Sequence, residues 1–335
     1  MKAIVRDDYG VAEDVLRCED IDRPEIGDDE VLLSVRSAGV GRDVWHSTTG
    51  LPMAMRLAGY GLRSPKIRVP GSDVAGRVEA VGKDVVTLQI GDEAFGVGIG
   101  SFAEYARARA DKLAPKPHNL TSEQAAAVPI AALTALQALR DRARVEAGQR
   151  VLIIGASGGV GTFAVQIAKA FGAEVAGVCS TAKVDVVRSL GADQVIDYEL
   201  DDFAGHEQRY DVIIDIGGNR SLSVLRHALT PKGILVIAGG ETDGRWLAGA
   251  GRQVRALTVA PFIGQKLRTV LCSQNRGDLI VLKELIEAGK VTPLIDRAFS
   301  LTEAPEAIRY VAEGRARGKV VINVSDSTAE RPNGS

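Results

Sequence analysis

Val31, Leu33 and Val35 alternate with Leu32, Ser34 and Arg36, the period of two that a half-buried strand needs. Leu32 blurs the alternation without breaking it. Between residues 71 and 86, valines are interrupted by Gly71, Gly76 and Gly82. Glycines inside strands mark bulges or tight bends, so this stretch predicts a small, strongly curved sheet. Helical periodicity is scarce in the first third. Residues 48–66 read as an irregular loop with one short helix.

The rhythm changes near Thr121. Thr121-Ser122-Glu123-Gln124 has the form of a helix N-terminus and leads into an alanine-rich run. From Arg150 onward, short apolar runs alternate with amphipathic segments. Val151–Ile154 is a continuous apolar strand. Residues 159–171 carry Val160, Phe163, Ala164, Ile167 and Phe171 on one side, and Gly172 ends the helix. Further strands are predicted at 175–178, 195–197, 212–216 and 234–238, with a helix at 183–190 stopped by Gly191. Apolar strands separated by amphipathic helices predict a parallel sheet covered on both faces. The fold class is therefore α/β: a β-rich domain followed by a doubly wound parallel sheet.

The chemistry begins at the first of these strands. Val151–Ile154 runs into Gly155-Ala156-Ser157-Gly158-Gly159-Val160-Gly161, which opens the next helix. Glycines let the backbone approach a pyrophosphate, and a helix N-terminus offers free N–H groups and partial positive charge. Strand, turn, helix and second strand complete the context that this fingerprint requires. The alternative is a tight turn with no ligand. NAD enzymes place a carboxylate about 20 residues on, against the ribose hydroxyls. Here the corresponding residues are Cys179-Ser180-Thr181-Ala182-Lys183. Two hydroxyls and one ammonium suit a 2′-phosphate, so NADPH is the expected cofactor. Ser180 or Thr181 also suits a helix N-cap.

Composition narrows the remaining classes. The 335 residues are 45% apolar and 25% charged, enough for two domains with full cores. A formal net charge of -2 and the lack of a basic stripe argue against nucleic-acid binding. Arg140, Arg142 and Arg144 read as a solvated helix face. Cys18, Cys179 and Cys272 are dispersed, which predicts no disulfide framework and fits a reducing cytoplasm. The N-terminal residues lack the apolar core of a signal peptide, and no run is long enough to span a bilayer. The polar residues 326–335 are expected to be a disordered tail.

Several segments together resemble the medium-chain dehydrogenase/reductase superfamily, within it the zinc-less quinone oxidoreductase-like branch. They are Ala38-Gly39-Val40, the Pro70–Gly76 turn, Gly100–Tyr105, Pro129–Gln137, Gly158–Gly161, Gly191-Ala192-Asp193 and Gly318–Ile322. The resemblance implies a GroES-like catalytic domain over residues 1–121, completed by 296–325, and a Rossmann NADP-binding domain over 122–295. It implies a cleft between them and a homodimer paired through residues 254–272. Zinc members carry Cys where this chain has Gly41 and His-Glu where it has Ser72-Asp73. A catalytic zinc needs three protein ligands, and only Asp73 survives at these positions. A rearranged set of Asp43, His46 and Asp73 is the alternative; the expectation is no metal.

The resemblance also implies the cofactor contacts. Thr134 would lie near the nicotinamide ribose, and Ser157, Gly158, Gly159 and Val160 would hold the pyrophosphate. Ser180, Lys183 and Tyr198 would surround the adenosine phosphate. Gly217, Gly218 and Gly239 end later strands, where doubly wound sheets bind ligands. Lys319 would meet the cofactor across the cleft. For Tyr198 and Lys319 surface packing is the alternative.

The candidate catalytic residues are Asp43, His46 and Tyr60, with Trp45 as a wall of the substrate site. His46 is read as a proton donor or as an exposed loop histidine. Asp43 is read as catalytic or as a cap, Trp45 as pocket or core, and Tyr60 as a hydroxyl donor or a surface tyrosine. Without zinc, an isolated carbonyl is a poor hydride acceptor, whereas quinones and enones spread the incoming charge. The expected activity is reduction of a quinone, enone or related conjugated carbonyl. The alternatives are an alcohol or aldehyde dehydrogenase and a catalytically silent NADPH-binding sensor.

Overall fold

The computed structural model describes residues 1–218, 220–239 and 264–324. The expected tail at 326–335 and residues 254–263 of the expected dimer region lie outside the described residues. The chain begins with an antiparallel pair, β1 (Lys2–Val5) and β2 (Arg17–Asp20). It continues through β3 (Glu30–Val40), β4 (Asp73–Val81), β5 (Glu93–Val97), β6 (Tyr105–Arg109) and β7 (Leu113–Pro115). The long β3 pairs with β4 through two register shifts, at Leu32/Leu33 and Val35/Ser37. These are the bends that the glycines predict: Gly76 lies opposite Val35, and a Cβ on it would stand 2.2 Å from the Ser34 carbonyl oxygen.

One helix escaped the sequence pattern. Arg42–Thr49 is helical and ends at Gly50, whose φ is 65°. Only Val44 and Thr48 are buried on it, so no apolar stripe announces the element. Packing of Val44 against Val40, Phe102 and Ile308 holds it in place. By contrast, the helix start at Thr121 is confirmed. Its hydroxyl accepts from the Gln124 N–H while the Gln124 side chain accepts from the Thr121 N–H, a reciprocal capping box.

A second sheet follows, built from β8 (Arg150–Ile154), β9 (Glu174–Cys179), β10 (Gln194–Asp197), β11 (Tyr210–Asp215), β12 (Leu229–Ile237) and β13 (Lys266–Thr269). All its pairings are parallel, in the order β10-β9-β8-β11-β12-β13. This is a dinucleotide-binding order, with the reversal at β8. Val151 and Ile153 face the helix side with Phe163 and Ile167. Leu152 and Ile154 face the other side with Phe203 and Leu225. Each such burial contributes about 1.5–3 kcal/mol, and two buried faces explain why β8 reads as a continuous apolar run.

The chain then returns to the first sheet. β14 (Ile295–Ser300) pairs in parallel with β15 (Lys319–Asn323), and β15 pairs antiparallel with β3. The return carries Lys319 into the space between the two sheets.

Candidate active site

A cavity of about 730 Å³ opens at the carboxyl ends of β8, β9 and β11 and reaches the N-terminal sheet. Its centre is the turn from Gly155 to Val160. Gly155 has φ 86°, a conformation that glycine adopts without strain. A Cβ on Gly161 would stand 2.1 Å from the Gly155 carbonyl oxygen, so the helix can only press this closely on the strand with glycine there. No side chain caps the helix Gly159–Ala170. Its first-turn amides therefore lack the partner that a capped helix would supply. An uncapped N-terminus and a glycine cradle fit a dinucleotide pyrophosphate.

One end of the cavity is lined by Ser180, Lys183, Tyr198, Phe203 and Arg220. Ser180 stands at the head of a short turn but makes no capping bond. Lys183 donates to the carbonyl oxygens of Gly314, at 3.0 Å, and Ala316, at 2.9 Å. Its partial burial lowers its pKa. Two carboxylates arrive that the 179–183 segment does not contain. Asp197 and Glu199 lie 2.6 and 2.8 Å from the Thr181 hydroxyl, so Thr181 is engaged away from the cavity. Arg220 pairs with Asp202 at 3.2 Å and stands over the Phe203 ring. Neither Arg220 nor Phe203 was expected, because neither belongs to the glycine-rich unit.

The other end is lined by Val40, Gly41, Asp43, Ile130, Ala131 and Lys319. Asp43, in the first turn of its helix, accepts from the Ser72 hydroxyl at 2.8 Å. Beneath it, Lys319 donates to Asp73 Oδ2 at 3.1 Å, with both side chains buried. Asp73 Oδ1 accepts the Ile130 N–H at 3.0 Å. Burial pushes the Asp73 carboxyl above its usual range, and the Lys319 ammonium opposes that rise.

The remaining candidates separate from the cavity. His46 is half-buried on the helix rather than exposed in a loop, and Nδ1 contacts the Leu51 carbonyl oxygen at 2.7 Å. A carbonyl only accepts, so Nδ1 carries the proton. Burial lowers the His46 pKa. Trp45 packs against the core cluster around Val44 and Phe102. Tyr60 closes the helical turn Arg56–Tyr60, and burial together with the charge of Asp43 raises its pKa. None of the three lines the cavity. Of the cofactor candidates, Ser157, Gly158, Gly159, Val160, Ser180, Lys183, Tyr198, Gly217 and Lys319 line it. Thr134, Gly218 and Gly239 do not. The Thr134 hydroxyl donates to the Ile130 carbonyl at 2.7 Å, and the Gly218 N–H donates to Asp215 at 3.0 Å. A Cβ on Gly239 would meet the Ile216 carbonyl oxygen at 2.2 Å. Among the described residues, no group of three His, Cys, Asp or Glu side chains is placed to hold a metal ion.

The parallel sheet, its uncapped glycine turn and the adjoining β domain define a two-domain dinucleotide-binding oxidoreductase. Residues 27–118 match the alcohol dehydrogenase GroES-like domain family, and residues 190–322 match the zinc-binding dehydrogenase family. The chain is 35% identical to 2-methylene-furan-3-one reductase of Solanum lycopersicum, over 96% of this chain and 79% of that one. It is 37% identical to the chloroplastic NADPH-dependent alkenal/one oxidoreductase of Arabidopsis thaliana, with the same two coverages, 96% and 79%. Among solved structures, the quinone oxidoreductase from Coxiella burnetii superposes with a TM-score of 0.84 at 30% identity, covering 97% of this chain and 99% of that one. The chain belongs to the medium-chain dehydrogenase/reductase superfamily, in its quinone oxidoreductase-like branch.

Proposed function

We propose that this protein is a zinc-independent, NADPH-dependent reductase of quinones, enones and related conjugated carbonyls. One observation carries the reading. A single cavity joins the uncapped turn at Gly158–Val160 to an end where Asp43 and Lys319 offer hydrogen-bonding groups and where, among the described residues, no metal-ligand set is assembled. When bound there, NADPH supplies a hydride; Ser157, Gly158, Gly159 and Val160 would hold its pyrophosphate, and Ser180, Lys183 and Tyr198 its 2′-phosphate. The relatives from tomato and Arabidopsis, named for a furanone and for alkenals and enones, support the acceptor class. A conjugated acceptor needs less electrophilic help than an isolated carbonyl, which suits a site without a Lewis acid.

The proposed domains are 1–121 with 296–325, and 122–295. A homodimer formed through the edge of the second sheet is supported by β13, the last strand of that sheet among the described residues, beside the exposed Leu271. A two-fold partner pairing along this edge would continue the sheet across the dimer. The three cysteines are free thiols, which supports a cytoplasmic location. Among the described residues no helix is long and apolar enough to cross a membrane.

The test is NADPH oxidation with a panel of quinones, enones and saturated aldehydes, with and without a chelator. Turnover of the conjugated acceptors that survives chelation is expected. Turnover only of saturated aldehydes, lost on chelation together with a stoichiometric zinc, would overturn the proposal.

A further inference from the structure

We infer that Lys319 is the electrophile of the site: its ammonium binds the acceptor oxygen and protonates it as the acceptor is reduced. The inference rests on the reductase reading and names the residue that performs its electrophilic step.

Four cations line the cavity: Arg42, Lys183, Arg220 and Lys319. Arg42 donates to the Ala312 carbonyl oxygen at 2.9 Å. Lys183 is held by the carbonyls of Gly314 and Ala316, and Arg220 by Asp202. Lys319 differs in its course. Its stem crosses the cofactor turn, with Cδ 3.2 Å from where a Cβ on Gly159 would lie. Its ammonium lies 4.0 Å from where a Cβ on Gly41 would lie. The charge is thus carried from the pyrophosphate cradle to the end where Gly41 and Asp43 line the cavity.

Its partner is fixed as firmly. Asp73 uses one oxygen for the Ile130 N–H and the other for Lys319. An ammonium has three N–H bonds, and among the described residues that of Lys319 makes one hydrogen bond. Glycine at position 41 puts no side chain of its own beside the ammonium; the Asp43 carboxylate reaches into that position, so an acceptor oxygen would meet the ammonium at the cavity end that Gly41 and Asp43 line. A buried cation stabilises a developing oxyanion far more than it would in water.

The step balances simply. As an enone gains a hydride at its β-carbon, the carbon–carbon π pair shifts and negative charge settles on oxygen. A Lys319 N–H bond breaks and an O–H bond forms, giving the enol. The neutral amine regains its proton from solvent water, and the enol rearranges to the saturated ketone. For a quinone the same proton goes to the reduced ring oxygen.

Two variants test the inference in the full chain. Lys319→Met keeps the stem over Gly159 and removes the charge. The double variant Lys319→Met with Asp73→Asn also removes the unpaired buried carboxylate, so that folding is retained if the single variant fails. Both should lower kcat about 100-fold or more, a much larger factor than any loss of NADPH affinity by fluorescence titration. The second readout needs no turnover. 4-Nitrophenol, whose phenolate mimics an enolate oxygen, should bind the wild type as phenolate at a pH where the free phenol is mostly un-ionised. In both variants that absorbance should vanish. Retained kcat and retained phenolate absorbance in the double variant would overturn the inference and leave Lys319 as a structural pin. A wild type that binds the phenolate yet reduces no conjugated acceptor would sink the proposed function while sparing the role of Lys319.

Discussion

Lys183, on the Rossmann side of the cavity, donates its ammonium to the carbonyl oxygen of Ala316, 2.9 Å away on the segment that returns to the first sheet. The two walls of the cofactor cleft are therefore tied by the residue expected to meet the 2′-phosphate. A phosphate there gains a charge-assisted hydrogen bond, worth about 1.5–3 kcal/mol, or roughly tenfold and upward in affinity. Lys183→Ala is expected to weaken NADPH about tenfold and NADH less than about threefold, measured by titration calorimetry. Equal losses for the two nucleotides would remove Lys183 as the source of the preference.

Asp197 and Glu199 hold the Thr181 hydroxyl between them, at 2.6 and 2.8 Å. Neither carboxylate lines the cavity, but Tyr198 between them does, so their charge acts on a phosphate held there from close by, and both are near the surface, where salt screens them. Glu199→Gln should tighten NADPH by about two- to threefold at low ionic strength, and the gain should shrink as salt is raised. Affinity that does not respond to the substitution at any salt concentration would place the phosphate elsewhere.

The fold disfavours the charged form of His46. Burial lowers its pKa, and its Nδ1–H is engaged by the Leu51 carbonyl. The unfolded chain, with a histidine pKa of about 6.5, binds more protons than the folded one below that value. This contribution to stability is present above about pH 6.5 and is lost as pH falls toward the lowered folded pKa. Melting temperature should therefore drop more steeply as pH falls below about 6.5 in the wild type than in His46→Gln. Parallel curves for the two proteins would contradict this.

Gly161→Ala is the sharpest test of the turn. The added Cβ would fall 2.1 Å from a backbone oxygen and 2.7 Å from the Ala156 carbonyl carbon, so no side-chain rotation relieves it. The turn must open, which displaces the amides at the helix N-terminus. NADPH affinity should fall by at least about tenfold and the melting temperature by several degrees. A variant with wild-type affinity would show that the pyrophosphate does not rest on this turn.

Much of the second sheet was legible because its signals are local. Val151–Ile154, the glycines from 155 to 161 and the apolar side of 159–171 lie within about twenty consecutive residues. Hydrophobic period and turn chemistry act over that range. The helix Arg42–Thr49 was missed for the converse reason: packing against distant residues makes it, with only two buried positions of its own. That miss left a loop position as one of the two readings of His46, which the helix makes half-buried.

The linear order of residues alone determined the strand–turn–helix unit, the absence of Cys at position 41 and of His at position 72, and the Ser180–Lys183 segment. These are covalent facts or short-range patterns, and folding cannot alter them. Only the tertiary structure decided that Lys319 would meet Asp73, from which it is separated by 246 positions, and that Asp197 and Glu199 would stand beside Thr181. It also decided that Arg220 would join the cavity and that His46, Trp45 and Tyr60 would not. Such pairings depend on which strand lies beside which and where the chain crosses back. Sheet order and burial set these through contacts among residues far apart in sequence, and no local period records them.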